Sequence, residues 1–390
     1  MPCWLSPGSA NEQAPSCAVR MMSDPSQLLR PLPWHEAPLR DLLLNRERIA
    51  HALLVIAPLG TGALEFARAL AAGLLCETAT AERKPGACGT CPACHWMLAG
   101  NHPDLRWIGL DDESVSGEGD AEAEPDQIPR DAPTVAVPSR GKSVRRRLEI
   151  RIEAIRTLAN FTNTGARRSG LRVIVISAAD RMNLAAANAL LKTLEEPLPG
   201  VIFILASEAP ERVLPTVRSR CVRVALVAPA ETMARHWIIA STGIDPMIAQ
   251  RLLDAGGGAP ILALGFADPE RFEAYQAAQA AIASLPAADL LEVAQRLEAL
   301  EPTVWVPALQ RWVEDLARVA HGAQPRSRGL DIRSLTSLAA LTTPQALATC
   351  AQDLLTFRRS VDHPLNPRLY AEATLRVYAR AFESGKPNRF

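Results

Sequence analysis

Four short stretches constrain this chain more than anything else in it. Ala52–Ile56, Val173–Ile176, Val201–Ala206 and Val222–Leu226 are apolar almost end to end. Each has the length of one strand, and helical patterns lie between them at Leu64–Leu75, Leu148–Phe161 and Leu184–Leu194. A strand reads this way when both its faces are covered, the situation in a parallel sheet whose crossover helices pack on either side. Upstream, Pro33–Ala50 reads as a helix interrupted by prolines. After Pro229 the strand signals stop, and Glu231 to the end reads as helices broken at Gly256-Gly257-Gly258 and at several prolines. The expected plan is an α/β domain with a parallel sheet, followed by an all-helical half.

A length of 390 residues fits two or three domains. Lys+Arg and Asp+Glu number 42 each, so formal net charge is zero and a global basic field for drawing in nucleic acid is excluded. No apolar run is long enough to span a membrane. The opening residues lack the charged start and apolar stretch of a secretion signal. Residues 1–28, rich in Pro and Ser, read as disordered, and Met21 or Met22 is an alternative start. Residues 111–147 run from acidic (DDESVSGEGDAEAEPD) to basic (PSRGKSVRRR) and read as a mobile surface insertion.

Of eight cysteines, Cys76, Cys88, Cys91 and Cys94 fall close together. In a chain without a secretion signal that spacing favours metal over disulfides and implies a reducing, cytoplasmic compartment. Two overlapping C-x-x-C steps and a fourth cysteine upstream can close a tetrahedral thiolate site with no open position, hence structural zinc. His95 is a weaker competing ligand.

Ala57-Pro58-Leu59-Gly60-Thr61-Gly62-Ala63-Leu64 stands where a phosphate loop would, between strand and helix. Gly60 and Gly62 remain, but Ala63 replaces the lysine and Leu64 the magnesium-binding hydroxyl. Ser177-Ala178 stand where an ATPase ends its next strand with Asp-Glu, and Asp180 further on reads as a surface or capping residue. Neither element supports ATP hydrolysis. Ser219-Arg220-Cys221 offers an arginine suited to a transferring phosphoryl group on a neighbouring subunit, although the bare triplet reads first as a surface ion pair.

The string Asn188-Ala189-Leu190-Leu191-Lys192-Thr193-Leu194-Glu195-Glu196-Pro197, with Phe203–Ser207 and Ser219-Arg220-Cys221 after it, resembles the clamp-loader branch of AAA+ proteins. The cysteines followed by Gly100-Asn101-His102-Pro103-Asp104 resemble that family's bacterial zinc module. In the family, tau/gamma ATPase subunits keep the lysine and the Asp-Glu pair, whereas a non-hydrolysing subunit loses both and keeps S-R-C. This sequence follows the second pattern, and Pro260 falls near where an active member carries a nucleotide-sensing arginine.

The resemblance implies an AAA+-like domain over 29–228, with a zinc module at about 76–107, a helical lid over 229–270 and a collar over 271–390 that holds a ring together. It implies partnership with tau/gamma and delta subunits of DNA polymerase III, and with the sliding clamp and primed DNA through that complex. Arg220 would act in trans, with Ser219 and Cys221 completing its motif, and the chain would bind no ATP and perform no chemistry alone. Rival readings are an active clamp-loader ATPase, a zinc-dependent nucleic-acid-binding module and a nucleotide kinase. The missing lysine argues against the first and third. The zero net charge and the lack of basic residues within Cys88–Cys94 argue against the second.

Overall fold

The computed structural model describes residues 29–78, 86–110, 149–162, 166–168, 170–285, 287–326, 332–361 and 365–383. The expectations for residues 1–28 and for the insertion 111–147 lie outside these. The chain divides into two compact units, one ending at Ala228 and the other starting at Pro229.

The first unit is built on five parallel strands: β1 (Ala52–Ile56), β2 (Leu105–Ile108), β3 (Arg172–Ile176), β4 (Val201–Ser207) and β5 (Val222–Ala225). Their order is β2-β3-β4-β1-β5. Registers such as Ala52↔Phe203, Ile174↔Phe203 and Leu53↔Val222 hold the sheet together. Alternate residues face opposite ways. Leu54, Ile174, Ile176, Phe203 and Leu205 pack against helices α4 (Ile152–Thr162) and α5 (Leu184–Glu195). Leu53, Val55, Val173, Val175 and Ile204 pack on the other face, against α1 (Glu36–Leu44) and α2 (Ala63–Leu75). Gly73 lets α1 and α2 close up, since a Cβ there would sit 2.6 Å from Leu43 Cδ1.

Three sequence expectations are corrected. The stretch 33–50 is a 3-10 turn, the helix α1 and a second 3-10 turn, because Pro33 and Asn45 bracket a short helix. The helix expected from Leu148 begins at Ile152; Ile150 instead bridges Met182 beside the sheet. β5 is not covered on both faces: Val222, Arg223 and Ala225 are exposed, as an edge strand allows. The strand β2 carried no strong sequence signal. It is short, includes Arg106 and Trp107, and lies at the other edge.

The second unit contains, among its described residues, helices α7 (Glu231–Thr242), α8 (Pro246–Ala255), α9 (Pro260–Leu264), α10 (Pro269–Ala283) and α11 (Leu290–Glu298). These continue into α12 (Pro302–Ala320), α13 (Ile332–Ala339), α14 (Pro344–Arg359) and α15 (Pro367–Glu383). The expected breaks at prolines fall where the next helix starts: Pro246, Pro260, Pro269, Pro302 and Pro344 sit in first turns, where a missing N–H is no loss. Asp245, Asp268, Asp289 and Thr343 cap the exposed N–H groups. A hydrophobic core runs through these helices around Trp305, Leu309, Leu354, Leu375 and Tyr378. Trp312 Nε1 donates to Tyr378 Oη at 2.9 Å within it.

Candidate metal centre and phosphate loop

Cys76 ends α2, Cys91 caps α3 (Pro92–Leu98), Cys94 lies on α3, and Cys88 sits on the turn before it. The tight turn uses Gly89 at φ 79°, a left-handed conformation that glycine adopts without strain. The four sulfurs all lie within 4.8 Å of one another, and the pairs Cys76–Cys91, Cys88–Cys94 and Cys76–Cys94 are 3.8 Å apart. A disulfide requires about 2.05 Å. A tetrahedron with metal–sulfur bonds of about 2.3 Å has edges of about 3.8 Å, so the donor set fits a four-thiolate site. His95 is exposed and stands outside this set.

The surroundings favour thiolates. The N–H groups of Cys88, Thr90 and Cys91 point at sulfurs at 3.3–3.4 Å. The Cys94 thiol hydrogen-bonds Cys76 and, against burial, brings the Cys76 pKa down to about 3. Burial works upward at Cys88, but donors from Thr78, Thr90 and Cys91 outweigh it and the thiol falls to about 7. The same bond to Cys76, together with burial, raises the Cys94 thiol. Leu29, Ala72, Met97 and Leu98 give the cluster a small apolar shell.

Asp104, just beyond the module, is fully buried. Its two carboxylate oxygens accept from the N–H groups of Arg167 at 2.7 Å and Arg168 at 3.0 Å. Arg168 in turn pairs with Glu77 at 2.8 Å and stacks over Trp96. Residues 166–168 are thereby tied to both ends of the cysteine module. The Gly-Asn-His-Pro-Asp string marked the place in the sequence, but nothing local could show which backbone its aspartate holds.

The loop after β1, between strand and helix, is closed in by the chain's own groups. Gly60 and Gly62 both take positive φ, 70° and 100°. The Gly60 N–H donates to Glu208 Oε1 at 2.9 Å. At Gly62 a Cβ would meet Leu32 Cδ1 at 2.7 Å and His35 Cε1 at 2.9 Å. Trp34 Nε1 closes over the loop onto the Thr61 carbonyl at 2.8 Å. Ala63 is buried at the start of α2 and Leu64 is half-buried.

The charge here is negative. Glu208 is exposed over much of its surface, yet its carboxylate is withdrawn from water near the loop. That desolvation raises its pKa against the Gly60 bond, and Glu65 and Asp180 add repulsion. His35 is wholly buried and neither ring nitrogen has a hydrogen-bond partner. Burial lowers its pKa to about 4, and the nearby Thr61 backbone carbonyl pulls the other way without offsetting it. At the end of β3, the Ser177 hydroxyl bonds the Ile108 carbonyl at 3.2 Å and Ala178 has no polar side chain. Asp180 falls in the following 3-10 turn.

Ser219-Arg220-Cys221 follows the short helix α6 (Pro215–Arg218). Cys221 is buried in the core beneath α5, where burial pushes its thiol up to about 11. Ser219 is exposed, and its hydroxyl donates to the Thr216 carbonyl at 2.9 Å. Arg220 Nη1 donates to the same carbonyl at 3.0 Å, and Nη2 meets Glu195 Oε1 at the end of α5. The arginine side chain is 35% exposed.

A family model described as "DNA polymerase III, delta subunit" matches residues 39–230. The chain is 34% identical to DNA polymerase III subunit delta' of Pseudomonas aeruginosa over 59% of its own length and 60% of that protein's. It is 31% identical to the Yersinia pestis protein of the same name, over 71% and 74% of the two lengths. It is 28% identical to the Escherichia coli one, over 85% and 90%. A solved gamma-subunit-related protein from Thermotoga maritima covers 88% of this chain at 17% identity and a TM-score of 0.40. No described helix is long and apolar enough to cross a membrane. The sheet, the cysteine set and these relatives converge: the chain belongs to the delta-prime family of DNA polymerase III clamp-loader subunits.

Proposed function

We propose that this chain serves the clamp loader without an ATP site of its own and supplies Arg220 to ATP held by a neighbouring tau/gamma subunit. The observation that carries the first half is the Gly60–Glu208 hydrogen bond. A nucleotide entering this loop would have to displace Glu208 and move Leu32 and His35. It would find neither the lysine nor the magnesium ligands that offset triphosphate charge. Glu65, Asp180 and Glu208 would repel it instead.

Arg220 supports the second half. Its cis partner is a half-exposed carboxylate, and such a pair is worth at most ~1 kcal/mol, so the guanidinium stays available to a phosphate from another subunit. The four cysteines hold a structural zinc that orders the module. Residues 229–270 act as the lid and 271–390 as the collar joining tau/gamma and delta in a ring, which places the sliding clamp on primed DNA. Calorimetric titration of the isolated chain with Mg-ATP tests the first half: no saturable binding at micromolar concentration is expected. Micromolar binding would restore the rival reading of an active ATPase subunit.

A further inference from the structure

Glu195 is the second half of the Arg220 device. This rests on the reading of Arg220 as a residue acting in trans. Arginine carries five N–H donors in a rigid planar fork. Here Nη1 is spent on the Thr216 carbonyl and Nη2 on Glu195 Oε1. Both contacts lie on the same molecule. The Nε–H and one N–H on each terminal nitrogen are left for a phosphate.

Each part of this arrangement is fixed. Thr216 belongs to the short helix α6, which starts at Pro215, and its carbonyl also accepts from Ser219. The backbone of Arg220 is tied through its N–H to the Val217 carbonyl at 3.1 Å. Cys221 anchors the chain in the core directly after it. Glu195 is the last residue of α5, a helix packed on the sheet through Ala186, Ala187, Leu190 and Leu194. Two rigid elements therefore reach the guanidinium from two directions. An arginine is long and loses much rotamer freedom when ordered, so pre-ordering it lowers the cost of meeting a phosphate.

We propose that Glu195 is a positioning residue for Arg220: it holds the guanidinium in a fixed aim toward the neighbouring subunit's ATP while leaving donors free to contact it. The essential property is the hydrogen-bond acceptor at that point, with the charge secondary, because the pair is half-exposed and screened.

The test compares Glu195→Ala, Glu195→Gln, Arg220→Ala and Glu195→Ala/Arg220→Ala in the assembled complex with clamp and primed DNA, as kcat and KM for ATP. Glu195→Ala should slow the site served by Arg220 by about 1.5- to 5-fold, the span an exposed ion pair can hold in place, and lower the total kcat by less than Arg220→Ala does. KM should be unchanged, because the nucleotide is bound by the other subunit. Glu195→Gln, which keeps an acceptor, should recover most of the loss, and the double variant should match Arg220→Ala alone. A wild-type kcat for Glu195→Ala, or a raised one, overturns the inference while an Arg220→Ala defect leaves the arginine reading standing. If Arg220→Ala itself has no effect, the arginine reading fails and the inference with it. Native mass spectrometry of each assembled complex separates these outcomes from a variant that does not incorporate.

Discussion

Replacing Cys94 with serine is the sharpest perturbation of the metal centre, because Cys94 is wholly buried and touches both Cys76 and Cys88. Ordering the stretch from Gly86 to Ala99 costs on the order of 20 kcal/mol, at ~1.5 kcal/mol per residue for backbone and side chain together. Against this the stretch buries Ala93 and Cys94 and half-buries Met97 and Leu98. Those groups offset on the order of 5 kcal/mol. The few backbone hydrogen bonds of α3 add a net ~1 kcal/mol each. Between ~10 and ~15 kcal/mol is missing, which is the size of a tightly held structural zinc. Cys94→Ser should therefore lose zinc and unfold this stretch locally, leaving the sheet intact. Metal analysis and hydrogen exchange followed by mass spectrometry read the two effects separately. Amides in 86–99 that remain as protected in metal-free Cys94→Ser protein as in wild type would refute the reasoning, since the stretch would then be ordered by its own contacts.

Two further outcomes follow from buried groups. His35 titrates near 6.5 when unfolded and near 4 when folded, so protons favour the unfolded state. Its contribution is intact above pH 6.5 and is lost as pH falls toward 4, by ~3 kcal/mol in all. Denaturant melts across that window should show wild type losing ~3 kcal/mol relative to His35→Leu as pH falls from 7 to 4, and parallel curves would show that His35 is not the group responsible. Asp104→Ala should cost ~3 kcal/mol, because the N–H groups of Arg167 and Arg168 lose charge-assisted bonds in a buried site. Denaturant unfolding gives the number, and a loss under ~0.5 kcal/mol, the usual size of a surface change, would mean that water replaces the carboxylate.

The central strands were legible because a strand buried on both faces leaves an uninterrupted apolar run. β1, β3 and β4 show it, and their expected bounds agree with the structure to within a residue. Edge strands leave weaker marks. β2 escaped notice because it is only four residues long and the exposed Arg106 interrupts its apolar residues, and β5 was assigned a burial it does not have. The cysteine set was legible because metal-ligand spacing is local, three of its members falling within one turn and the helix after it. The contacts that give the phosphate loop its character were not. Glu208 meets Gly60, and Glu195 meets Arg220, across long separations in sequence, and only the parallel pairing that brings the ends of β1 and β4 together places the first pair within reach. The degenerate loop showed what was missing in the sequence, whereas its filling by Leu32, His35 and Glu208 is a property of the fold.

Steady-state ATP hydrolysis and clamp loading by the complex assembled from this chain with tau/gamma, delta, clamp and primed DNA, wild type against Arg220→Ala, test the central claim most directly. Losing an arginine finger can slow its own site by ~10³-fold or more. Other sites with their own arginines would soften the fall in total turnover, and loading would suffer more than bulk hydrolysis if the sites fire in order. The account predicts reduced turnover and a larger loss of loading, with folding and assembly unchanged, because Arg220 contributes a half-exposed ion pair and no core packing. Equal turnover and equal loading would contradict it and leave Arg220 as a surface partner of Glu195.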